Sequence, residues 1–496
     1  MVLDRRRSGV LLHPTALPSA YGIGDLGSAA FDFLDYLALA AQSFWQVLPL
    51  GPTGFGDSPY ASPSAFAGNP LLIALEPLQE QGLLSGEDLS DLANLPTDRV
   101  DFGQLVPLKR HALELAFSRG RERDDAAIHD FRTRHQEWLD DFALFAALKD
   151  DLQQPWTEWE SALRAREPEA LAAARERLSE RVRFHEFCQY LFFEQWSAVR
   201  ARANELGIRI VGDIPVFVAH DSADVWAHQH LFKLDDSGQP IVIAGVPPDY
   251  FSATGQLWGN PLYDWEAMAG EGYAWWIARF RHLLEEMDVV RIDHFRGFEA
   301  AWEVPAGETT AVNGQWVRGP GEAVFRAIAA ALATDRAPII AEDLGLITDE
   351  VRALLKATGF PGMKVLQFAF GDTSSNPYLP HNYADANCVV YTGTHDNDTT
   401  RGWFNTLSEP EKSHVLRYLR ADTDANIAED LMRLALSSTA RIAIVPLQDV
   451  LSLGSEARIN TPGAPEGNWA WRVRADQLDS VRAQCLAELT ALYGRA

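Results

Sequence analysis

Eight short β-rich runs, each followed by a stretch of helical periodicity, constrain this chain more than any other feature. They are Gly9–His13, Phe44–Pro49, Arg209–Asp213, Val289–Asp293, Ile339–Glu342, Met363–Phe368, Cys388–Thr392 and Ile442–Pro446. Strands that alternate with helices are the repeat of a parallel sheet or barrel. Strands buried on both faces read as unbroken apolar runs, as Val289-Val290, Ile339-Ile340 and Val389-Val390 do. Several of the runs end in a polar or charged residue. Eight such strands predict a (β/α)8 barrel, a fold that assembles its active site at the carboxyl ends of its strands.

Two connections are too long for simple crossovers. About 160 residues separate the second and third runs, and from 76 to 207 they are rich in Ala, Leu, Glu and Arg at helical spacing, with Leu113, Phe117, Phe131, Trp138 and Phe142 as apolar positions. This predicts a helical insertion subdomain within a single catalytic domain spanning 1–496. The stretch 220–265 is rich in Gly, Pro, Asp and aromatics, which predicts an ordered loop subdomain over the barrel mouth.

Charge narrows the partners. With 69 acidic against 43 basic residues the formal charge is −26, which repels phosphate backbones and anionic lipid surfaces and excludes nucleic acid and membrane as expected partners. No run of about twenty apolar residues occurs, and the apolar run after Arg5-Arg6-Arg7 is only Val10 to Leu12, too short for a signal-peptide core. Cys188, Cys388 and Cys485 are scattered and odd in number, so neither a disulfide framework nor a zinc site is expected; a reducing, cytoplasmic location fits. The oligomeric state is not legible.

The chemistry lies at the strand ends. Asp213 closes the third run, Asp293 the fourth and Glu342 the fifth, and the seventh leads into Thr394-His395-Asp396-Asn397-Asp398. Barrel geometry brings these distant carboxylates to one pocket. One nucleophilic carboxylate and one protonated carboxylic acid are the minimum for retaining glycosyl chemistry through a covalent sugar ester. Strand-end acids also serve as caps and structural ion pairs, and Asp-His clusters also suit a metal-dependent hydrolase. HExxH, EF-hand and Gly-rich phosphate-loop spacings are absent, so no metal and no cofactor is expected.

Seven segments together resemble the amylomaltases, the 4-α-glucanotransferases or disproportionating enzymes of glycoside hydrolase family 77. They are Leu11-Leu12-His13-Pro14-Thr15-Ala16-Leu17-Pro18, Tyr21-Gly22-Ile23-Gly24-Asp25-Leu26-Gly27, Gly245-Val246-Pro247-Pro248-Asp249-Tyr250-Phe251, Gly255-Gln256-Leu257-Trp258-Gly259-Asn260-Pro261, Arg291-Ile292-Asp293-His294-Phe295-Arg296-Gly297, Ala341-Glu342-Asp343-Leu344-Gly345 and Thr394-His395-Asp396-Asn397-Asp398. The resemblance implies a (β/α)8 barrel without a C-terminal β-sandwich. It implies transfer of α-1,4-glucan segments from glucan donors to maltooligosaccharide or glucose acceptors by double displacement. A hydrolase of the same clan is the alternative activity.

The resemblance also implies roles. Asp293 matches the nucleophile, Glu342 the acid/base and Asp396 the carboxylate that holds donor-sugar hydroxyls. Arg291 matches the arginine that keeps the nucleophile ionised, His294 and His395 match sugar ligands, and Asp213 matches the strand-three aspartate. Ser58 and Tyr60 fall in the donor-side segment, Asn460 in a loop near the donor subsites. Asp249, Gln256 and Trp258, with Tyr250 and Phe251, fall in the acceptor-side loop. Asn397 and Asp398 match no comparable role. Glu342 needs a raised pKa to hand over a proton, and neighbouring carboxylates are the expected cause.

Overall fold

The computed structural model describes residues 3–120, 125–248, 252–334, 336–371, 373–464 and 466–496. Eight parallel strands form one sheet: β1 (Arg7–Leu11), β2 (Phe44–Gln46), β3 (Arg209–Pro215), β6 (Val289–Asp293), β9 (Ile339–Ala341), β10 (Gly362–Val365), β11 (Cys388–Tyr391) and β12 (Ile442–Pro446). Four others, β4 (Val242–Val246), β5 (Gln256–Pro261), β7 (Ala300–Pro305) and β8 (Gln315–Arg318), form a second, antiparallel sheet. The large sheet runs β10-β11-β12-β1-β2-β3-β6-β9, and the Ala341 N–H donates to the Pro361 carbonyl at 3.0 Å, bringing its two edges together. This is a (β/α)8 barrel, and all eight runs expected from sequence supply one strand each. The ends differ by a few residues; Leu366–Phe368, expected within a strand, forms a 3-10 turn instead.

Side-chain alternation sorts each strand into two cores. Leu11, Phe44, Val211, Val289, Ile340, Met363, Val389, Tyr391 and Ile444 pack together inside the barrel. Their neighbours Val10, Trp45, Ile210, Val290, Ile292 and Ile339 pack outward against the helices. This alternation places the site. Two residues beyond Val211 is Asp213; two and four beyond Val289 are Arg291 and Asp293; two beyond Ile340 is Glu342. In these three strands an inner-face apolar residue at the bottom therefore puts a charged residue on the same face at the top.

Between β2 and β3 the chain is helical, with long helices at Phe102–Gly120, Asp125–Leu152 and Ser179–Glu205. The last of these packs its Trp196 indole N–H onto the Glu286 carbonyl at 3.1 Å. The region after β3 is more regular than an ordered loop. Its strands β4 and β5 pair antiparallel, and β4 also pairs with β7 and β7 with β8, in the order β5-β4-β7-β8. Two of these strands come from the stretch after β6, so two separate excursions from the barrel make one sheet. Among the described residues no helix is long and apolar enough to cross a membrane.

Candidate active site

At the carboxyl end of the barrel lies a cleft of about 340 Å³ lined by Ser58, Tyr60, Trp258, Asp293, His294, His395, Asp396 and Asn460. Parallel pairing sets Ile292 opposite Ala341, so the next residues, Asp293 and Glu342, stand level on neighbouring strands. Adjacent strands are roughly 4.8 Å apart, which fixes the scale of the separation between these two positions.

One guanidinium organises the acids. Arg291 lies directly opposite Asp213 in the β3–β6 register and donates through Nη1 to both of its carboxylate oxygens, at 2.8 and 2.6 Å. Its Nη2 donates to Asp293 Oδ1 at 3.0 Å, and its Nε to Met363 Sδ at 3.4 Å. The side chains of Arg291 and Asp213 are 3% and 0% exposed, whereas that of Asp293 is 31% exposed and reaches the cleft. Asp213 is thus a buried anchor below the cleft floor, and Tyr60 donates its hydroxyl to it at 2.9 Å. Burial pushes Asp213 up to about 6 against the opposing pull of Arg291, which leaves it ionised at neutral pH.

Glu342 has the opposite environment. Its Oε2 accepts the His294 N–H and its Oε1 the Leu344 N–H, both at 2.7 Å. Its pKa is pushed up to about 8, first by burial and then by the charge of Asp293, with Arg291 and the two N–H donors pulling the other way. The cause expected from sequence, neighbouring carboxylates, is therefore the second one; loss of water around the carboxyl is the larger. A neutral carboxylic acid and a carboxylate facing a guanidinium sit side by side, the division of labour general acid and nucleophile require.

His294 adopts a left-handed backbone, φ 54° and ψ 50°, at the end of β6. Such a conformation costs a non-glycine residue roughly 1–2 kcal/mol, and here it accompanies the N–H that reaches Glu342. Burial pushes the His294 imidazole down to about 3, so it stays neutral. Its ring meets that of Trp258 edge-on at 4.7 Å.

On the other wall, Asn460 donates Nδ2 to Asp396 Oδ1 at 2.6 Å, and His395 Nε2 lies 3.3 Å from the same oxygen. The Arg458 guanidinium donates to the Asp396 and Asn460 carbonyls, both at 2.8 Å, which ties the loop after β12 to the loop after β11. Tyr60 stacks on His395 at 5.1 Å with 12° between ring planes, and Trp469 leans on both. Ser58 accepts the Tyr60 N–H, holding that ring's backbone. Asn397 and Asp398 shape the loop: Asn397 Oδ1 accepts the N–H and hydroxyl of Thr394, and Asp398 Oδ2 accepts the Ser455 hydroxyl at 2.7 Å.

Gln256 accepts the Trp258 indole N–H at 3.2 Å and so orients that ring. Asp249, Tyr250 and Phe251 lie outside the described residues. Phe217, Asn260, Asn468 and Trp469 also line the cleft and were not singled out from sequence. Asn260 stands within the Gly255–Pro261 segment noted there, and Asn468 follows Asn460 in the same loop; Trp469 had no signal, because its ring partners Tyr60 and His395 come from other parts of the chain. Among the described residues no group of three or more His, Cys, Asp or Glu side chains is arranged to hold a metal ion.

Comparison with known proteins identifies the family. The family model for glycoside hydrolase family 77, described as 4-α-glucanotransferase, matches residues 12–478. A 4-α-glucanotransferase of a Synechocystis strain is 52% identical, the match covering 100% of this chain and 99% of the relative. That of Thermus thermophilus is 53% identical over 98% of this chain and 99% of its own. The solved structure of amylomaltase from Streptococcus agalactiae in complex with acarbose superposes with a TM-score of 0.96 at 41% identity, covering 99% of this chain and 100% of that one. A cleft that pairs a neutral Glu342 with an arginine-bound Asp293, on a full-length match of this kind, leaves one assignment: the chain belongs to the 4-α-glucanotransferases of glycoside hydrolase family 77.

Proposed function

We propose that the enzyme transfers α-1,4-glucan segments by a retaining double displacement in which Asp293 is the nucleophile and Glu342 the acid/base. The observation that carries this reading is the level placement of the two residues on adjacent strands, with Arg291 bonded to one and burial keeping the other protonated. Carboxyl groups about 5–5.5 Å apart suit retention, whereas inversion needs room for a water between them.

In the first step an Asp293 oxygen attacks the anomeric carbon of the donor sugar. The bond from that carbon to the glycosidic oxygen breaks, and the proton of Glu342 passes to the departing oxygen. Arg291 balances the Asp293 charge before attack and when the carboxylate is regenerated. In the second step Glu342, now ionised, takes the proton from the 4-hydroxyl of an incoming glucan or glucose. The resulting oxygen attacks the anomeric carbon, and the ester to Asp293 breaks. Asp396, fixed by Asn460 and flanked by His395, binds the hydroxyls of the donor sugar. The stacked Tyr60, His395 and Trp469 form the donor-side wall, and the 38% exposed Trp258 offers an aromatic face to the acceptor.

Incubation with maltotriose alone tests the function: a growing ladder of longer chains together with glucose is the expected product pattern. Glucose and maltose without longer chains would instead mark a hydrolase. Replacing the platform, Trp258→Ala, is expected to raise the ratio of hydrolysis to transfer several-fold, since stacking of this kind is worth about 0.5–1.5 kcal/mol beyond the area buried. Product ratios by chain-length analysis check this, and an unchanged ratio would remove Trp258 from the acceptor site.

The pH profile follows from the sign of the Glu342 shift. The first step needs the protonated acid, so on the alkaline side kcat/KM falls above a pH of about 8, by about tenfold per unit. An alkaline limb that set in near the ordinary glutamate value would contradict the role of burial at this carboxyl.

A further inference from the structure

The Glu342 carboxyl is oriented by two backbone N–H groups from different segments: His294, in the turn after β6, and Leu344, in the loop after β9. Beyond Leu344 the chain turns at Gly345, φ +81°, and emerges at Leu346, which is 65% exposed. Besides that of Glu342, a further side chain joins this loop to the turn. Arg296, 5% exposed and two residues beyond His294, donates Nη1 to the Leu346 carbonyl. Its guanidinium carbon lies 3.7 Å from the centre of the Trp316 ring, which comes from β8 of the antiparallel sheet. The Gly319 N–H bonds to the Glu299 carbonyl and the Gly321 N–H to the Phe298 carbonyl, both at 2.8 Å, so the segment leaving β8 is fastened to the same turn. At the start of the loop, Asp343 Oδ1 accepts the Met363 N–H at 2.6 Å and ties it to β10.

We propose that Arg296 is a positioning residue for the acid/base: it clamps the loop that carries the Leu344 N–H onto the turn that carries the His294 N–H, and thereby holds the Glu342 carboxyl aimed at the glycosidic oxygen. The proposal rests on the acid/base reading of Glu342 above. Arg296 stands behind the cleft and acts through Glu342. Trp316 covers the guanidinium, so β8 of the antiparallel sheet contributes to the clamp from outside the cleft. Proton transfer falls off steeply with misplacement, and without Arg296 the loop beyond the Asp343 tie would be free to shift away from the turn and carry the Leu344 N–H with it.

The test compares two donors that differ in their need for a proton. Maltotriose has a poor leaving group that must be protonated as it departs; α-maltosyl fluoride releases fluoride without that help. kcat/KM reports the first irreversible step, so it isolates the step in which Glu342 acts as acid. Arg296→Met is expected to lower kcat/KM for maltotriose by about 30-fold and for the fluoride by about threefold or less, part of the 10²–10⁴-fold that a general acid supplies. Arg296→Lys, which keeps a donor for the Leu346 carbonyl, should recover much of the loss. Trp316→Leu removes the ring over the guanidinium from a half-exposed position; it should show the same donor selectivity at about three- to fivefold, and it carries the test if Arg296→Met does not fold. Glu342→Gln is the reference and should lose far more on maltotriose than on the fluoride. Equal losses on both donors for the Arg296 and Trp316 variants, with Glu342→Gln still selective, would overturn the clamp alone. Equal losses for Glu342→Gln would overturn the acid role itself, and the clamp with it.

Discussion

Asp293→Asn is expected to lower kcat for maltotriose disproportionation by about four orders of magnitude or more, and Glu342→Gln by roughly 10²–10⁴-fold, each with the fold intact. The two losses differ in kind. Asparagine cannot form the ester, so no amount of leaving-group activation restores turnover. Glutamine keeps the size of the side chain and an acceptor oxygen for one of the His294 and Leu344 N–H groups, but its amide NH2 can neither accept from the other nor supply an acidic proton. Asp293→Asn also removes one anion from Arg291 while leaving Asp213, which carries the two shorter contacts. Stopped assays and chain-length analysis of purified variants, with circular dichroism as the control for folding, check both. Wild-type turnover in either variant would refute its assignment.

Arg291→Met is expected to lower both stability and activity. Asp213 has no exposed side-chain area, so removing its guanidinium partner strands a carboxylate in the interior, which costs roughly 3–5 kcal/mol. Activity should fall with it, because the charge that balances Asp293 is gone. The second variant, Arg291→Met with Asp213→Asn, separates the two effects: the stranded charge becomes a neutral amide that can still accept the Tyr60 hydroxyl. Most of the stability should return, and the activity should not. Denaturant unfolding of both variants measures this, and a single variant as stable as wild type would show that the buried pair contributes nothing net.

Particular residues show why some of this was legible in sequence. The strands could be read because burial on both faces leaves a local mark, the apolar runs at Val289-Val290, Ile339-Ile340 and Val389-Val390. Asp213, Asp293 and Glu342 could be placed because the two-residue period of a strand carries each one from a known inner-face residue to the barrel mouth. The antiparallel sheet was not legible. Its strand β5, Gln256–Pro261, is largely exposed and contains Gly and Pro, so it has no apolar alternation to betray it, and its sheet is completed by strands from the far side of β6. Trp469 and Arg296 were overlooked as parts of the site for a related reason: what they do depends on partners that only the folded chain brings near.

The sequence by itself determined the barrel, the carboxylates at its strand ends and, through its motifs, the family, because periodicity and motif are properties of neighbouring residues. Only the tertiary structure decided what raises the Glu342 pKa, burial ahead of neighbouring charge. The pKa of Glu342 depends on how completely folding removes water from its carboxyl, and the pairing of Asp293 depends on where Arg291 divides its N–H groups between two carboxylates. Both are sums over surroundings contributed by β3, β6, β9 and their loops, and solvation of a side chain has no value until those segments are packed around it.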